Sequence, residues 1–196
     1  MEFIIGLFLA AKSLALLTGI FMTGSKEGAV LISKPNLYIK NNQIMFSCET
    51  QNVINKDLRE FILSGTPVKI EYEIFLIQYG RENQEESRQV IAIEYTVEYD
   101  LVKQNFRLFK NQDCILQDKS YEKIDGSLSQ PKDIALINQA LIESDKYYVL
   151  SVKIALGKIK IEGLKNKEID LISFWNYHKP YLETQPFLGQ AILSVK

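Results

Sequence analysis

The sequence predicts a mainly β fold, an antiparallel β-sandwich with two short helices, on three observations. The first is a pair of long runs that alternate in polarity: residues 68–79, Val-Lys-Ile-Glu-Tyr-Glu-Ile-Phe-Leu-Ile-Gln-Tyr, and residues 90–99, Val-Ile-Ala-Ile-Glu-Tyr-Thr-Val-Glu-Tyr. Alternation over that length, rich in β-branched and aromatic residues, marks half-buried strands. Val68, Ile70, Tyr72, Ile74 and Leu76 share one face, as do Ile91, Ile93, Tyr95, Val97 and Tyr99. The second is the polar stretch 80–89, which joins the runs into a hairpin that cannot cover its own apolar side. The third is a succession of shorter candidate strands separated by brief turns, which favours antiparallel pairing. One curved antiparallel sheet with helices on one face, an α+β arrangement, is the alternative that the same pattern allows.

Taken in order, residues 29–34 and 36–40 read as strands, or as one strand broken at Pro35, which has no N–H for a ladder. Asn41-Asn42 is a hairpin turn signal. Residues 43–50 form the next strand, with Ile44, Phe46 and Cys48 on one face. The period then changes: Ile54, Leu58, Phe61 and Ile62 stand at helical spacing. Asn55 suits the N-cap, Gly65 the left-handed stop, and Pro67 blocks continuation, so a helix is expected over residues 55–64. After the long hairpin come a turn over 99–105 and two weaker strands, 106–110 and 114–118, around Asn111-Gln112-Asp113. Polar residues 118–130 read as an exposed loop. A second helix is expected over residues 130–143, with Pro131 in its first turn and Ile134, Ile137 and Leu141 on its buried stripe. Tyr148, Leu150, Val152, Ile154 and Leu156 alternate in a strand whose phase shifts across Gly157 to Ile159 and Ile161. Residues 169–181 are aromatic-rich and irregular, and residues 187–195 are expected to close the domain as a strand.

The composition, 46% hydrophobic and 24% charged, is that of a globular domain that buries a core without staples. A formal net charge of −1 gives no electrostatic case for nucleic acid. One His and two Cys leave little material for a metal or redox centre, and no cofactor is expected. Residues 3–22 are nearly all apolar, interrupted by Lys12. Residues 1–25 therefore read as a signal peptide or an N-terminal membrane anchor, with residues 26–196 as a single β-rich domain. As a signal, residues 13–22 are the apolar core and Thr23-Gly24-Ser25 supplies small residues for cleavage. As an anchor, the length just spans, although a Lys at mid-depth costs about 3 kcal/mol. Either reading places the domain in a periplasmic or other extracytoplasmic space, held at the inner membrane in the anchor case.

The signal-like start, Leu63-Ser-Gly-Thr-Pro-Val68, the charged-tipped hairpin, the Glu98-Tyr-Asp100 turn, the expected helix from Ile134 to Ile142 before Tyr148-Val-Leu150 and the late Phe174-Trp-Asn176 together form a pattern. In it the chain resembles the bacterial family catalogued as domain of unknown function 4390. That resemblance implies an exported protein with no assigned activity, and it supplies no catalytic residue.

Among the chemistry-bearing residues, His178 has no orienting carboxylate or nucleophile near it in sequence and reads as a surface or structural residue. Glu71, Glu73, Glu94 and Glu98 alternate with apolar residues, as on the solvated side of a sheet; an acid pair for glycoside chemistry is the weaker reading. Residues 81–88 lack the glycine and oxygen spacing of a calcium loop. Cys48 and Cys114 can pair in an oxidising space or can each be a small buried hydrophobe. Phe174, Trp175, Tyr177 and Tyr181 form the densest aromatic cluster, either a core plug or a partner-contact surface. The expected function is a non-enzymatic envelope protein that binds another protein or supports an assembly. The alternative is a carrier of a lipid or other apolar ligand, suggested because Phe75, Ile77 and Tyr79 make the first long strand apolar on its second face as well. Oligomeric state has no sequence signature here.

Overall fold

The computed structural model describes residues 29–80, 84–160 and 168–194; residues 81–83, Ile161, Val195 and the segment expected as a leader lie outside the described residues. The chain opens with β1 (Leu31–Lys40) and β2 (Gln43–Gln51), joined through Asn41 and Asn42, both at positive φ. Pro35 marks a bulge inside one continuous β1, with the register shifting between Ser33 and Asn36. Helix α1 (Lys56–Leu63) follows, capped by the Asn55 side chain, which accepts from the Leu58 N–H at 2.9 Å. Gly65 ends it at φ +89°, a conformation that costs a side-chain-bearing residue energy.

The long hairpin is β3 (Val68–Tyr79) and β4 (Glu85–Asp100). β4 begins earlier than its apolar run, so Glu85 to Gln89 belong to the strand. Then come β5 (Asn105–Lys110) and β6 (Asp113–Asp118). Helix α2 (Tyr121–Leu128) stands where an exposed loop was expected. Tyr121, Ile124 and Leu128, at i, i+3 and i+7, are its buried stripe; serine and glycine among them hide the period. The helix expected over 130–143 is not formed. That segment is β7 (Ile134–Asn138) and a 3-10 turn, Gln139–Leu141. Asp133 at φ +53° breaks the helical path after Pro131, and Ile134 and Leu136 are buried at strand spacing while Leu141 is 63% exposed. A run of four apolar residues, Ile-Ala-Leu-Ile, fits both periods, and pairing with β2 decides between them.

β8 (Tyr147–Leu156) is followed by β9 (Lys158–Lys160) and β10 (Glu168–Asp170), which among the described residues pair only with each other. Gly157 leaves the ladder where its N–H donates to Lys69 O. The aromatic segment is a 3-10 turn, Leu171–Trp175, followed by β11 (Tyr181–Glu183). The expected closing strand is only β12 (Phe187–Leu188), because the chain turns at once into α3 (Gly189–Leu193). The backbone of Gly189 lies too close to Glu143 O for any Cβ, which holds α3 onto the β7–β8 connection.

The fold is mainly β and antiparallel. A seven-stranded sheet runs β11-β8-β3-β4-β5-β6, with β12 also on β8; a three-stranded sheet runs β1-β2-β7. The inner face of the first, Val68, Ile70, Tyr72, Ile74, Ile93, Tyr95 and Val97, shares one core with Leu37, Ile44, Phe46, Cys48, Ile134 and Leu136 of the second. Leu58 and Ile62 of α1 and Ile124 and Leu128 of α2 complete it. The face assignment of the hairpin thus follows the alternation of its sequence. Tyr72 is fully buried, and its hydroxyl donates to Leu128 O at 3.3 Å, tying β3 to the end of α2. Among the described residues no helix is long and apolar enough to cross a membrane.

Candidate functional site

The aromatic segment divides into two. Trp175 is a plug: it is buried, and its Nε1–H donates to Val53 O at 2.9 Å. Phe174 packs its ring on Phe61, centroids 5.4 Å apart, while Asn55 Nδ2 donates to Phe174 O. The turn after them, with Asn176 and Tyr177 at positive φ, throws Tyr177 out to 74% exposure, and His178 is exposed beside it. Tyr181 lies elsewhere, on β11 opposite Lys153 of β8.

Cys48 and Cys114 are free thiols and not a disulfide. Cys48 is buried on β2 in the small sheet, and burial pushes its thiol up to about 12. Cys114 is exposed on β6 of the other sheet.

The outer face of the large sheet carries a second, smaller apolar cluster. Phe75, Ile77, Val149 and Ser151 point away from the main core and are buried all the same. Among the described residues no second sheet packs on them. Their roof includes Lys153, whose Nζ lies 4.7 Å from the Phe75 centroid, and the Arg88 guanidinium at 5.8 Å. Tyr181 adds to the roof, with the same Nζ 6.0 Å from its ring and its hydroxyl donating to Glu183. Burial and that carboxylate push the Tyr181 phenol up to about 12. Long amphipathic stems are suited to such cover, because the apolar chain is buried while the charge stays wet. Tyr79 stands opposite Tyr147, which is half exposed, at the far end of the patch. The apolar second face of β3 therefore belongs to this surface cluster and lines no interior space.

The patch runs up to an unpaired backbone. β4 pairs with β3 from Glu85 to Val97 but with β5 only from Tyr95 to Asp100. At the end of β5, Asn111 seals the next position: its N–H donates to Glu94 O at 2.8 Å, and its Oδ1 accepts from Glu94 N at 3.0 Å. Backbone groups alternate sides along a strand. Arg88, Val90 and Ala92 therefore aim their N–H and C=O groups the same way as Glu94, away from β3. Among the described residues nothing receives them. Val90 is 46% exposed and Ala92 is exposed on the outer face, while Ile91, half-buried, stands at the margin of the core. Reading the sequence missed this edge because residues 80–89 look like a polar tip. The signal available was length: a run continuing to Asp100 is followed by a strand of only six residues.

Ionisable groups are dispersed. Glu94 is held by Lys69 at 3.0 Å and Glu98 by Arg107 at 2.9 Å, both as surface pairs. Among the described residues no three His, Cys, Asp or Glu side chains gather as a metal site. An open groove of about 480 Å³ between the β2–β7 end and α3 is lined by Asn42, Asn138, Gln139, Ala140, Ile142 and Leu193, which offer no acid or base.

No family model, curated protein or solved structure matches the chain. The likeness to the domain of unknown function 4390 family rests on the residues quoted for it.

Proposed function

We propose that this chain is an exported, non-enzymatic protein-binding or assembly module of the bacterial cell envelope. The observation that carries the protein-binding reading is the open edge of β4 at Arg88, Val90 and Ala92, next to a patch with exposed Val90, Tyr147 and Tyr181. An open strand edge presents a row of unpaired N–H and C=O groups on which another chain can pair. Export rests on the apolar residues 3–22. Against the lipid-carrier reading, Phe75, part of its motive, lies under Lys153 and Arg88.

Site-specific photo-cross-linking in the native organism tests the binding reading. A benzophenone side chain at Val90 is expected to give a discrete polypeptide adduct that the same group at Val102, 92% exposed on the β4–β5 turn, does not give. Identical adducts from both positions, or lipid adducts alone, would overturn it. For compartment, a carboxy-terminal alkaline phosphatase fusion is expected to be active; a fluorescent cytoplasmic reporter with an inactive phosphatase would sink export.

A further inference from the structure

We infer that the occupant of the β4 edge is an extended peptide segment of a partner, added as a strand beside Arg88, Val90 and Ala92. This rests on the protein-binding reading and names the partner's form. The edge presents alternating donors and acceptors at strand spacing, a pattern that another extended backbone matches residue for residue. The lane is closed at one end by Asn111, which already holds both backbone groups of Glu94. At the other end the β3–β4 register shifts between Gln78 and Tyr79, so the regular edge stops near Ser87. Between these limits there is room for a segment of about five residues.

The same limits argue against a second copy of this chain. A copy pairing antiparallel along the whole of Arg88–Ala92 would carry its own Asn111 turn and β5 into the lane filled by Glu85 to Ser87 of the first. A segment without a β5 of its own has no such obstacle.

Side chains of the added strand would alternate between the two faces. Those facing inward meet Ile91 and the rim of the core, and call for an apolar residue. Those facing outward lie beside Val90 and, at the open end, Arg88. Arg88 spends Nε and Nη2 on Glu85, at 2.9 and 2.6 Å. Its Nη1 has no acceptor among the described residues, and by turning from Phe75 towards the open side it would take a carboxylate from the segment. The structure thus specifies an alternating peptide, apolar inward and acidic next to Arg88.

The probe is a random heptapeptide display library panned against the full chain, followed by binding of the recovered synthetic peptides. Alternating sequences are expected, with the amides of Val90 and Ala92 protected from exchange on binding. Val90→Pro removes a donor on the open side and none from the β3 ladder. It should weaken binding at least about fivefold, because a peptide carbonyl is left unpaired. Should that variant fold poorly, methylation of alternate peptide amides makes the same test from the other side and should also abolish binding. Peptides that bind Val90→Pro and wild type alike, protection confined to other strands, or no enriched peptide would overturn the inference. So would edge protection that rises with protein concentration alone, which is the signature of self-pairing. A Val90 cross-link to a polypeptide combined with any of these leaves protein binding standing and removes only the strand-addition geometry.

Discussion

The large sheet has two open edges in its β4–β6 half, and they are built differently. β6 is short, carries Asp113 and Asp118 at its ends, and is set off from β5 by a register shift between Leu108 and Phe109. Short length, terminal charge and a bulge are the devices by which edges avoid pairing with strangers. The open half of β4 has no bulge and no proline between Arg88 and Ala92, its one charge, Arg88, is paired with Glu85, and it continues a strand whose other side is paired there with β3. The comparison teaches that this fold blunts one edge and leaves the other usable, which is a stronger pointer to a contact surface than exposed apolar area alone.

The comparison can be broken first at the core it leans on. Ile93→Asp, on the buried side of β4, is expected to leave no folded protein by circular dichroism and proteolysis, since an unpaired buried carboxylate costs on the order of a domain's whole stability. Glu94→Ala, one residue on, loses only a surface pair and should change stability by roughly 0–1 kcal/mol. Equal outcomes would mean that the β4 faces are assigned wrongly.

Next in size is Trp175→Ala, expected to lower stability by about 3–5 kcal/mol in thermal unfolding. That result would remove Trp175 as a principal contact residue and leave the β4 edge to carry binding. A variant that melts like wild type but loses its partner would move the site to the aromatic segment. The edge itself is dissected by two prolines. Ile91→Pro cuts the β3 ladder and should cost about 3 kcal/mol, whereas Val90→Pro should stay within about 1 kcal/mol of wild type in urea unfolding.

The smallest effects are with pH. At the hairpin end, hydrogen bonds from Arg88 and Lys146 hold the Glu85 and Glu86 carboxyls below their ordinary range, and Lys123 does the same for Asp118 at the end of β6. Carboxyls lowered in the fold add stability above their ordinary pKa, and lose it as pH falls through the lowered one. Amide protection at residues 85–88 and 113–118 should therefore fall together below the usual carboxylate range. Asp125 runs the other way: burial raises it, so its ionisation weakens the fold as pH rises through the raised value. Asp125→Asn should narrow the pH dependence of the melting temperature on that side; an unchanged profile would exclude Asp125 as its source.

The hairpin, its faces and α1 were legible because period, cap and stop agree in residues 55–99. The segment Ile134–Asn138 was not, because Ile-Ala-Leu-Ile-Asn satisfies either period and only its pairing with β2, distant in sequence, selects the strand. α2 was hidden by Ser127 and Gly126 in an otherwise regular stripe. Of the four aromatic residues singled out, the sequence could not say that one turn separates a plug from an exposed ring. The β4 edge was illegible because it is defined by what fails to pair with it.

The order in which the small sheet is threaded has a kinetic consequence. β1 and β2 are neighbours along the chain and can close quickly, but β7 reaches β2 only after the chain has passed through β3 to β6. Such non-local closure carries the entropy of a long loop before any contact repays it. Until it happens, Ile44 and Phe46 lack their β7 cover, and the far side of β2 is a second, temporary place where another strand could attach.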